Sequence, residues 1–157
     1  MSMIIRRARE NDIPRITDLL LQVHKVHSDK RPDIFKRGSK KYNEEELAEI
    51  LRDEMRPVFV AESDGLVLGY AFCILEEIKG DKSLEDRRSL YIDDICVDEC
   101  SRGKHVGQAL YLYVKEEAKR LGCYHIPLNV WSLNPGALHF YEKMGLLPMK
   151  TTMEEIL

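Results

Sequence analysis

The sequence of 157 residues contains no apolar run that approaches the roughly 18 residues of a membrane-spanning helix. Its start, Met1 to Glu10, carries arginines but no apolar core, so a secretory signal peptide is not expected. The four cysteines include no CxxC pair, and no set of cysteines and histidines has the spacing of a zinc site. These absences predict a cytoplasmic protein with reduced thiols, no membrane segment and no metal.

An excess of one charge is also missing, since 24 basic and 27 acidic side chains leave a net charge of −3. Such a chain has no general attraction to nucleic acid or to anionic membranes. The charge is nevertheless uneven: residues 1–42 sum to +6, residues 43–99 to −11 and residues 100–157 to +2. The acidic middle fits solvated helix faces or a site for a cationic substrate, whereas a nucleic-acid module built on residues 1–42 is poorly supported.

The length and the hydrophobic patterning predict one domain, residues 1–157, of mixed α/β class. The predicted order is β-α-α-β-β-β-α-β-α-β. Strands are predicted over Ile4–Arg6, Val58–Ser63, Leu66–Glu76, Ser89–Val97, Tyr124–Val130 and Leu146–Thr152. Helices are predicted over Ile13–Val26, Asn43–Met55, Val106–Leu121 and Pro135–Met144. The pair Asp64-Gly65 between two β-rich runs predicts a hairpin with a type I′ turn.

A candidate anion site follows the predicted strand Ser89–Val97. The run Arg102-Gly103-Lys104-His105-Val106-Gly107 opens a helix, and the first N–H groups of a helix lack intrahelical partners and carry partial positive charge. Glycines let a ligand approach the backbone, and Arg102 and Lys104 add full charges. The segment is therefore suited to a pyrophosphate. It is neither a Walker loop nor a dinucleotide-binding GxGxxG.

Two motifs resemble those of the GCN5-related N-acetyltransferase (GNAT) superfamily. Its motif A reads Gln/Arg-x-x-Gly-x-Gly/Ala; here Arg102 and Gly107 match, and His105 stands at the usual middle glycine. Its motif B reads N-x-x-A-x-x-F/Y-Y-x-K-x-G-F/L, and the run from Asn134 to Leu146 matches it. The resemblance implies a mostly antiparallel sheet flanked by helices, which is the superfamily's acyl-CoA N-acyltransferase fold.

The resemblance also implies where acetyl-CoA binds. The backbone of Ile95, Cys96 and Val97 is expected along the pantetheine arm, between splayed strands, and Asn134 is expected to contact the coenzyme. The pyrophosphate is expected on the segment that follows the strand Ser89–Val97. At His105 this binding is expected to require helical backbone dihedrals. The residues of that segment are Arg102, Gly103, Lys104, His105, Val106, Gly107 and Gln108.

Catalytic candidates come from the same resemblance. Tyr141 matches the superfamily's tyrosine near the sulfur and is the candidate acid, and Asp93 and Asp94 are the candidate bases. Because the side chains of a strand alternate, Asp93 is expected on one face and Asp94 on the other. A bulge, usual in this superfamily, would change that alternation. Each of these side chains also fits a purely structural role, as an aromatic packing residue or a hydrogen-bond acceptor.

The predicted function is acetyl-CoA-dependent N-acetyltransfer to the amine of a small, cationic, polyamine-like molecule. Two alternatives stay open: acetyl transfer to a protein or peptide amine, and a non-catalytic acyl-CoA-binding module. Homodimers are common in the superfamily, but nothing in the sequence identifies an interface.

Overall fold

A computed structural model describes residues 2–157 of the chain. Four strands form one antiparallel sheet in the order β1-β2-β3-β4, and four helices accompany it. The strands are β1 (Met3–Arg7), β2 (Val58–Ser63), β3 (Leu66–Ile78) and β4 (Arg87–Val97). The helices are α1 (Ile13–Lys30), α2 (Glu44–Arg52), α3 (Val106–Arg120) and α4 (Pro135–Lys143), with 3₁₀ turns at Glu10–Asp12 and Glu99–Ser101.

Local sequence signals explain several of these boundaries. Asn43 caps α2: its side chain accepts from the Glu46 N–H at 2.8 Å, and Glu46 accepts from the Asn43 N–H at 3.0 Å. A cap of this kind stabilises a helix by about 1 kcal/mol. Asp64 and Gly65 both have positive φ, 52° and 78°, so the predicted type I′ hairpin between β2 and β3 is confirmed.

The sheet carries a hydrophobic cluster on each face. The cluster under α1 and α2 includes Ile16, Leu47 and Tyr70, which are fully buried or nearly so. The cluster under α3 and α4 includes Leu90, Leu110 and the partly buried Phe140. We call these two sides the α1/α2 face and the α3/α4 face. Since β2, β3 and β4 contribute to both clusters, the site residues of β4 lie in the middle layer of the fold.

Two of the ten predicted elements are not regular strands. Residues 124–130 form only isolated parallel bridges to β4, at Ser89↔His125 and Ile92↔Leu128. Residues 146–152 have neither helix nor strand. The β-type pattern is present in both segments, but a strand also needs a neighbour that pairs with its N–H and C=O groups, and within residues 2–157 none lies alongside the second segment. The other eight elements agree with the predicted order.

Candidate active site

A β-bulge brings the two candidate bases together. Phe72 of β3 is opposite Asp94 of β4, and Cys73 is opposite Ile92, so Asp93 has no partner in the ladder. The extra residue changes the phase of the strand. Ile92 packs on the α3/α4 face, whereas Cys96 packs on the α1/α2 face, although both have even numbers. Asp93 and Asp94 consequently both point to the α1/α2 face, as their contacts show, and strict alternation would have separated them.

Beyond the bulge, the outer edge of β4 is open. The Leu90 and Ile92 N–H groups donate to His125 and Pro127 of the neighbouring segment at 3.3 and 3.0 Å. No bridge to that segment is found past Ile92 in the described part of the chain. The Asp98 N–H donates inward, to Leu68, at 2.8 Å, and inward bonds alternate along an antiparallel ladder. The peptide groups of Ile95 and Val97 are therefore directed outward, into the gap between the diverging segments.

A groove of about 390 Å³ runs from this gap to the start of α3. The Ala109 N–H bonds to the His105 carbonyl, and the N–H groups of residues 106–108 have no backbone partner in the described chain. Gly107 lies against Phe140, since an added Cβ would be 3.4 Å from its ring. The lining includes most of the predicted phosphate segment, namely Arg102, Gly103, His105, Val106, Gly107 and Gln108, together with Val97 of the predicted pantetheine site and Ser101, Phe140, Lys143 and Met144.

The backbone of His105 does not have the helical conformation that pyrophosphate binding was expected to require at this position. It is the residue before α3 and has φ 62° and ψ 22°, which is left-handed. This conformation explains why glycine is usual at this position of motif A, since glycine adopts it without steric cost. Histidine is among the residues that tolerate it best outside glycine. The backbone turn is thus formed here with an imidazole at its outer surface, where His105 is exposed.

The remaining coenzyme candidates lie at different distances from the groove. Ile95 is partly buried on the α3/α4 face and does not line the groove. The thiol of Cys96 is buried and points to the Leu19 carbonyl of α1 at 3.6 Å, and its carbonyl oxygen lies against Gly69 of β3, so Cys96 directs neither group into the gap. Lys104 is exposed and does not line the groove. Asn134 caps α4, with its Oδ1 accepting from the Ala137 N–H at 3.1 Å.

Asp93 is held by two side chains from the loop before α2. One carboxylate oxygen accepts from Lys41 Nζ at 2.8 Å, and the other accepts from the Tyr42 hydroxyl at 2.8 Å. The Tyr42 ring stacks on Phe72 at 5.6 Å and its oxygen accepts from Arg56 at 3.2 Å. The Asp93 side chain is 13% exposed. An ammonium group therefore already occupies one side of this carboxylate.

Asp94 is in a different environment, although it is the next residue. Desolvation raises the pKa of its carboxyl group above the ordinary value. The buried Tyr70 hydroxyl donates to Asp94 Oδ2 at 2.6 Å, which opposes that rise by favouring the carboxylate. No lysine or arginine is bonded to Asp94 in the described chain. A carboxylate with a raised pKa is a better proton acceptor at neutral pH than an ordinary aspartate.

Tyr141 lies in α4, and its ring packs against the neighbouring Phe140 at 5.1 Å between ring centroids. Burial raises the pKa of its phenol, and the negative charge of Asp94 raises it further. The phenol therefore remains protonated at neutral pH, as a proton donor must. The two candidate aspartates thus share one face of β4, and the Tyr141 phenol is near enough to Asp94 for that charge to act on it.

Three residues that contact the two aspartates, Lys41, Tyr42 and Tyr70, were not anticipated from the sequence. An aromatic cluster joins the end of α1 to the loop before α4: Phe35 lies 4.9 Å from His27 and 5.0 Å from Trp131, measured between ring centroids. Tyr70 could have been inferred only from the bulge, because its contact with Asp94 depends on which face Asp94 occupies.

A second cavity, of about 180 Å³, adjoins Tyr42 on the side of α2. Three carboxylates, one guanidinium, one phenol and one aliphatic side chain line this cavity. They belong to Glu46, Glu49, Asp53, Arg56, Tyr42 and Ile50. Because Tyr42 both lines this cavity and bonds to Asp93, the cavity extends the acidic side of the site toward solvent.

The comparisons with known proteins agree with this geometry. A sequence model of the acetyltransferase (GNAT) family matches residues 20–146, and the chain belongs to that family. The match spans both motifs and the β4 strand that carries the aspartates. Within residues 2–157, no helix is long and apolar enough to cross a membrane, and no group of three or more potential metal ligands is found.

Individual relatives extend over different parts of the chain. It is 34% identical over 87 residues to the uncharacterized N-acetyltransferase MJ1207 of Methanocaldococcus jannaschii, which is 55% of this chain and 37% of that protein. The match thus spans little more than a third of that curated relative. A crystal structure of a mutant BH1408 protein from Bacillus halodurans is similar with a TM-score of 0.95 and 29% identity, over 98% of this chain and 99% of the other.

A more distant structure shares the fold alone. Glucosamine-6-phosphate N-acetyltransferase from Arabidopsis thaliana has a TM-score of 0.72 and 21% identity, over 99% of both chains. The mixed α/β fold predicted from the sequence is therefore that of the GNAT acetyltransferases.

Proposed function

We propose that this protein transfers the acetyl group of acetyl-CoA directly to the amine of a small cationic molecule. The observation that carries the proposal is that the bulge turns two adjacent carboxylates to one face of β4, with a buried phenol near enough for the second of them to act on it. The three groups are an anchoring carboxylate, Asp93, a carboxylate with a raised pKa, Asp94, and a buried phenol, Tyr141.

The groove at α3 fits acetyl-CoA, which is the cosubstrate of this family. The unpaired N–H groups of residues 106–108 and the guanidinium of Arg102 suit the pyrophosphate. The outward peptide groups of Ile95 and Val97 suit the amide-containing pantetheine arm. When bound, the coenzyme supplies an acetyl thioester. An outward N–H of β4 close to the thioester carbonyl would stabilise the negative charge that develops on its oxygen.

The two aspartates then have separate roles. A primary ammonium has a pKa near ~10.4 and must lose a proton before its nitrogen can attack a carbonyl carbon. Asp94 accepts that proton, directly or through one water, and later releases it to solvent. Asp93 holds the acceptor in place by a charge-assisted hydrogen bond, as it holds Lys41 in the structure.

Tyr141 completes the proton balance. Formation of the new C–N bond breaks the C–S bond, and the departing thiolate takes the phenolic proton. The attacking nitrogen still carries one proton more than the amide product; it loses that proton, through solvent, to the phenolate, so the phenol is regenerated and each turnover releases one net proton. Its raised pKa keeps the proton in place until the thiolate forms.

The acceptor class is inferred from charge. Lys41 shows that the site accommodates an ammonium group on Asp93. The adjoining cavity, with Glu46, Glu49 and Asp53, suits a second ammonium group some distance from the first. A diamine or polyamine satisfies both features, whereas a neutral or anionic amine satisfies neither.

Turnover with a panel of amines tests the proposal. The panel holds diamines, polyamines, lysine and lysine-containing peptides, amino sugars and aminoglycosides, and release of free thiol from acetyl-CoA reports activity. We expect kcat/KM to be highest for amines with at least two positive charges. Tyr141→Phe should lower kcat about 10²–10⁴-fold with little change in acetyl-CoA affinity. Tyr113→Phe, a half-buried tyrosine of α3 outside the site, is the matched control. Absence of turnover on every amine, or full activity of Tyr141→Phe, would contradict the proposal.

We also infer the cellular compartment and the domain organisation of the protein. All four cysteines are free thiols in the structure, which supports a reducing, cytoplasmic environment. The two hydrophobic clusters share three strands of one sheet, which supports a single acetyltransferase domain over residues 1–157.

A further inference from the structure

The acceptor side of the proposed site already holds an amine that belongs to this chain. Lys41 Nζ lies 2.8 Å from Asp93 Oδ1, and Asp93 is the carboxylate proposed to anchor the acceptor. Desolvation raises the pKa of the Asp94 carboxyl group, and the Lys41 charge is near enough to oppose part of that rise. The Lys41 ammonium group therefore lies beside both aspartates, where the ammonium group of an acceptor is expected to bind.

The Lys41–Asp93 ion pair differs from the other lysine ion pairs of the described chain. The carboxylate side chains that pair with the other lysines are 31% to 73% exposed, whereas the Asp93 side chain is 13% exposed. Lys41 itself is half exposed, so its side chain extends from the protein surface to a nearly buried carboxylate. Ion pairs between exposed side chains are common on protein surfaces and contribute little to stability. The position of Lys41 is thus specific to the site.

The loop before α2 fixes where this amine lies. The neighbouring Tyr42 donates to the other Asp93 oxygen at 2.8 Å, and its ring stacks on Phe72 at 5.6 Å. Asp93 therefore keeps a hydrogen-bond donor when Lys41 loses its charge. An amine that is tethered and oriented reacts without the entropic cost of bringing in a second molecule. Acetyl transfer to Lys41 is consequently favoured over transfer to a lysine elsewhere on the surface.

We infer that Lys41 is an internal acceptor, which is acetylated on Nζ by the acetyl-CoA bound to its own chain. The inference rests on the proposed function, because it uses the same carboxylates and the same coenzyme. One Nζ proton passes to Asp94 and from there to solvent, the Nζ–C bond forms, and the C–S bond breaks. The departing thiolate takes the Tyr141 proton, and a second Nζ proton restores the phenol through solvent. The products are an acetylated Lys41, free coenzyme A and one net proton.

Acetylation changes the charge of the acceptor side. An acetylated lysine has no positive charge and no longer forms an ion pair. The modification therefore removes the ammonium group that competes with a cationic acceptor for Asp93, while the Tyr42 hydroxyl still holds the carboxylate.

Incubation of the full wild-type chain with acetyl-CoA alone, without an added amine, tests the inference. Intact mass spectrometry follows the number of acetyl groups per chain with time, and fragmentation of the peptides separates Lys41 from Lys40. We expect acetylation of Lys41 to be at least about 100-fold faster than that of Lys40, since base catalysis contributes about 10²–10⁴-fold. The first-order rate constant should not depend on protein concentration, because the transfer occurs within one chain.

Three variants identify the groups that take part. Asp94→Asn should slow the acetylation of Lys41 about 10²–10⁴-fold and leave the slow, uncatalysed acetylation of other lysines unchanged. Lys41→Arg keeps the positive charge but should take up no acetyl group at the fast rate. Lys40→Arg changes the preceding lysine, is the matched control, and should be acetylated as fast as the wild type. Thermal melting of each variant shows that it is folded.

Equal rates at Lys41 and Lys40 would overturn the inference, as would an unchanged rate in Asp94→Asn or a rate constant that rises with protein concentration. The amine panel separates this inference from the proposed function. Turnover of an added amine while Lys41 stays unmodified overturns the inference and leaves the proposed function intact. Fast acetylation of Lys41 without turnover of any added amine supports the inference and contradicts the small-molecule acceptor.

Discussion

Replacing Asp94 with asparagine should stabilise the protein at neutral pH while slowing acetyl transfer. The pKa of Asp94 lies above its ordinary value of 3.8 because desolvation penalises the carboxylate. The folded state therefore holds the Asp94 proton more tightly than the unfolded chain does. The contribution of Asp94 to stability is complete below pH 3.8 and is lost as the pH rises through the raised pKa.

Asparagine has the same shape and carries no charge at any pH. Its side-chain oxygen can still accept the Tyr70 hydroxyl, which donates to Asp94 at 2.6 Å. The variant thus keeps the hydrogen bond and removes the desolvated charge. Desolvating a poorly compensated polar or charged group costs about 1–3 kcal/mol, so a gain of about that size is expected at pH 7 and none below the unfolded-state pKa. For a domain of this length, 1 kcal/mol corresponds to a shift in Tm of about 2–4 °C.

Urea unfolding of both proteins at pH 7 and at the lowest pH that keeps them folded measures this difference. Asp93→Asn is the matched control: it removes a carboxylate from the same face, but one that pairs with Lys41, so it should be neutral or destabilising. In parallel, Asp94→Asn should lower kcat/KM about 10²–10⁴-fold. If Asp94→Asn is less stable than the wild type at pH 7, or if its free energy of unfolding changes by the same amount at both pH values, the reasoning about desolvation is refuted. Unchanged turnover would refute the role as base.

Three further substitutions test other parts of the site. Gly69→Ala should destabilise the fold by about 1–3 kcal/mol in urea unfolding, because its Cβ would lie 2.7 Å from the Cys96 carbonyl oxygen; Gly136→Ala, whose Cβ would meet nothing closer than 3.7 Å, should not. Lys41→Met should lower the KM for a diamine by up to about fivefold, since it removes an ammonium group that competes for Asp93 through an ion pair worth about 0–1 kcal/mol. Lys40→Met is the control, and a raised KM for Lys41→Met would contradict this competition. His105→Gly should raise the free energy of unfolding by up to about 1 kcal/mol by relieving the left-handed conformation, whereas His105→Ala should not, and equal values for the two would argue against strain.

Features that depend on interactions within a few residues of the chain were predicted correctly from the sequence. The cap at Asn43 and the type I′ turn at Asp64-Gly65 were predictable because each depends on hydrogen bonds or dihedrals within a few residues. The helix start at Val106 was predictable for the same reason. The left-handed His105 was not, because the glycine that normally reports such a conformation is absent from the sequence. Segment 146–152 has a strand pattern without being a strand, because pairing requires a neighbour as well as a pattern.

The sequence by itself determined the family of this protein, the order of most of its elements, and the location of the groove-lining segment at the start of α3. These features follow from residues that are close together along the chain. Only the tertiary structure decided that Asp93 and Asp94 share one face, that Lys41 pairs with the first and Tyr70 with the second, and that residues 124–130 keep an open edge. One unpaired residue in β4 exchanges the two faces of the strand, and that residue is defined by its register with β3 rather than by its own identity.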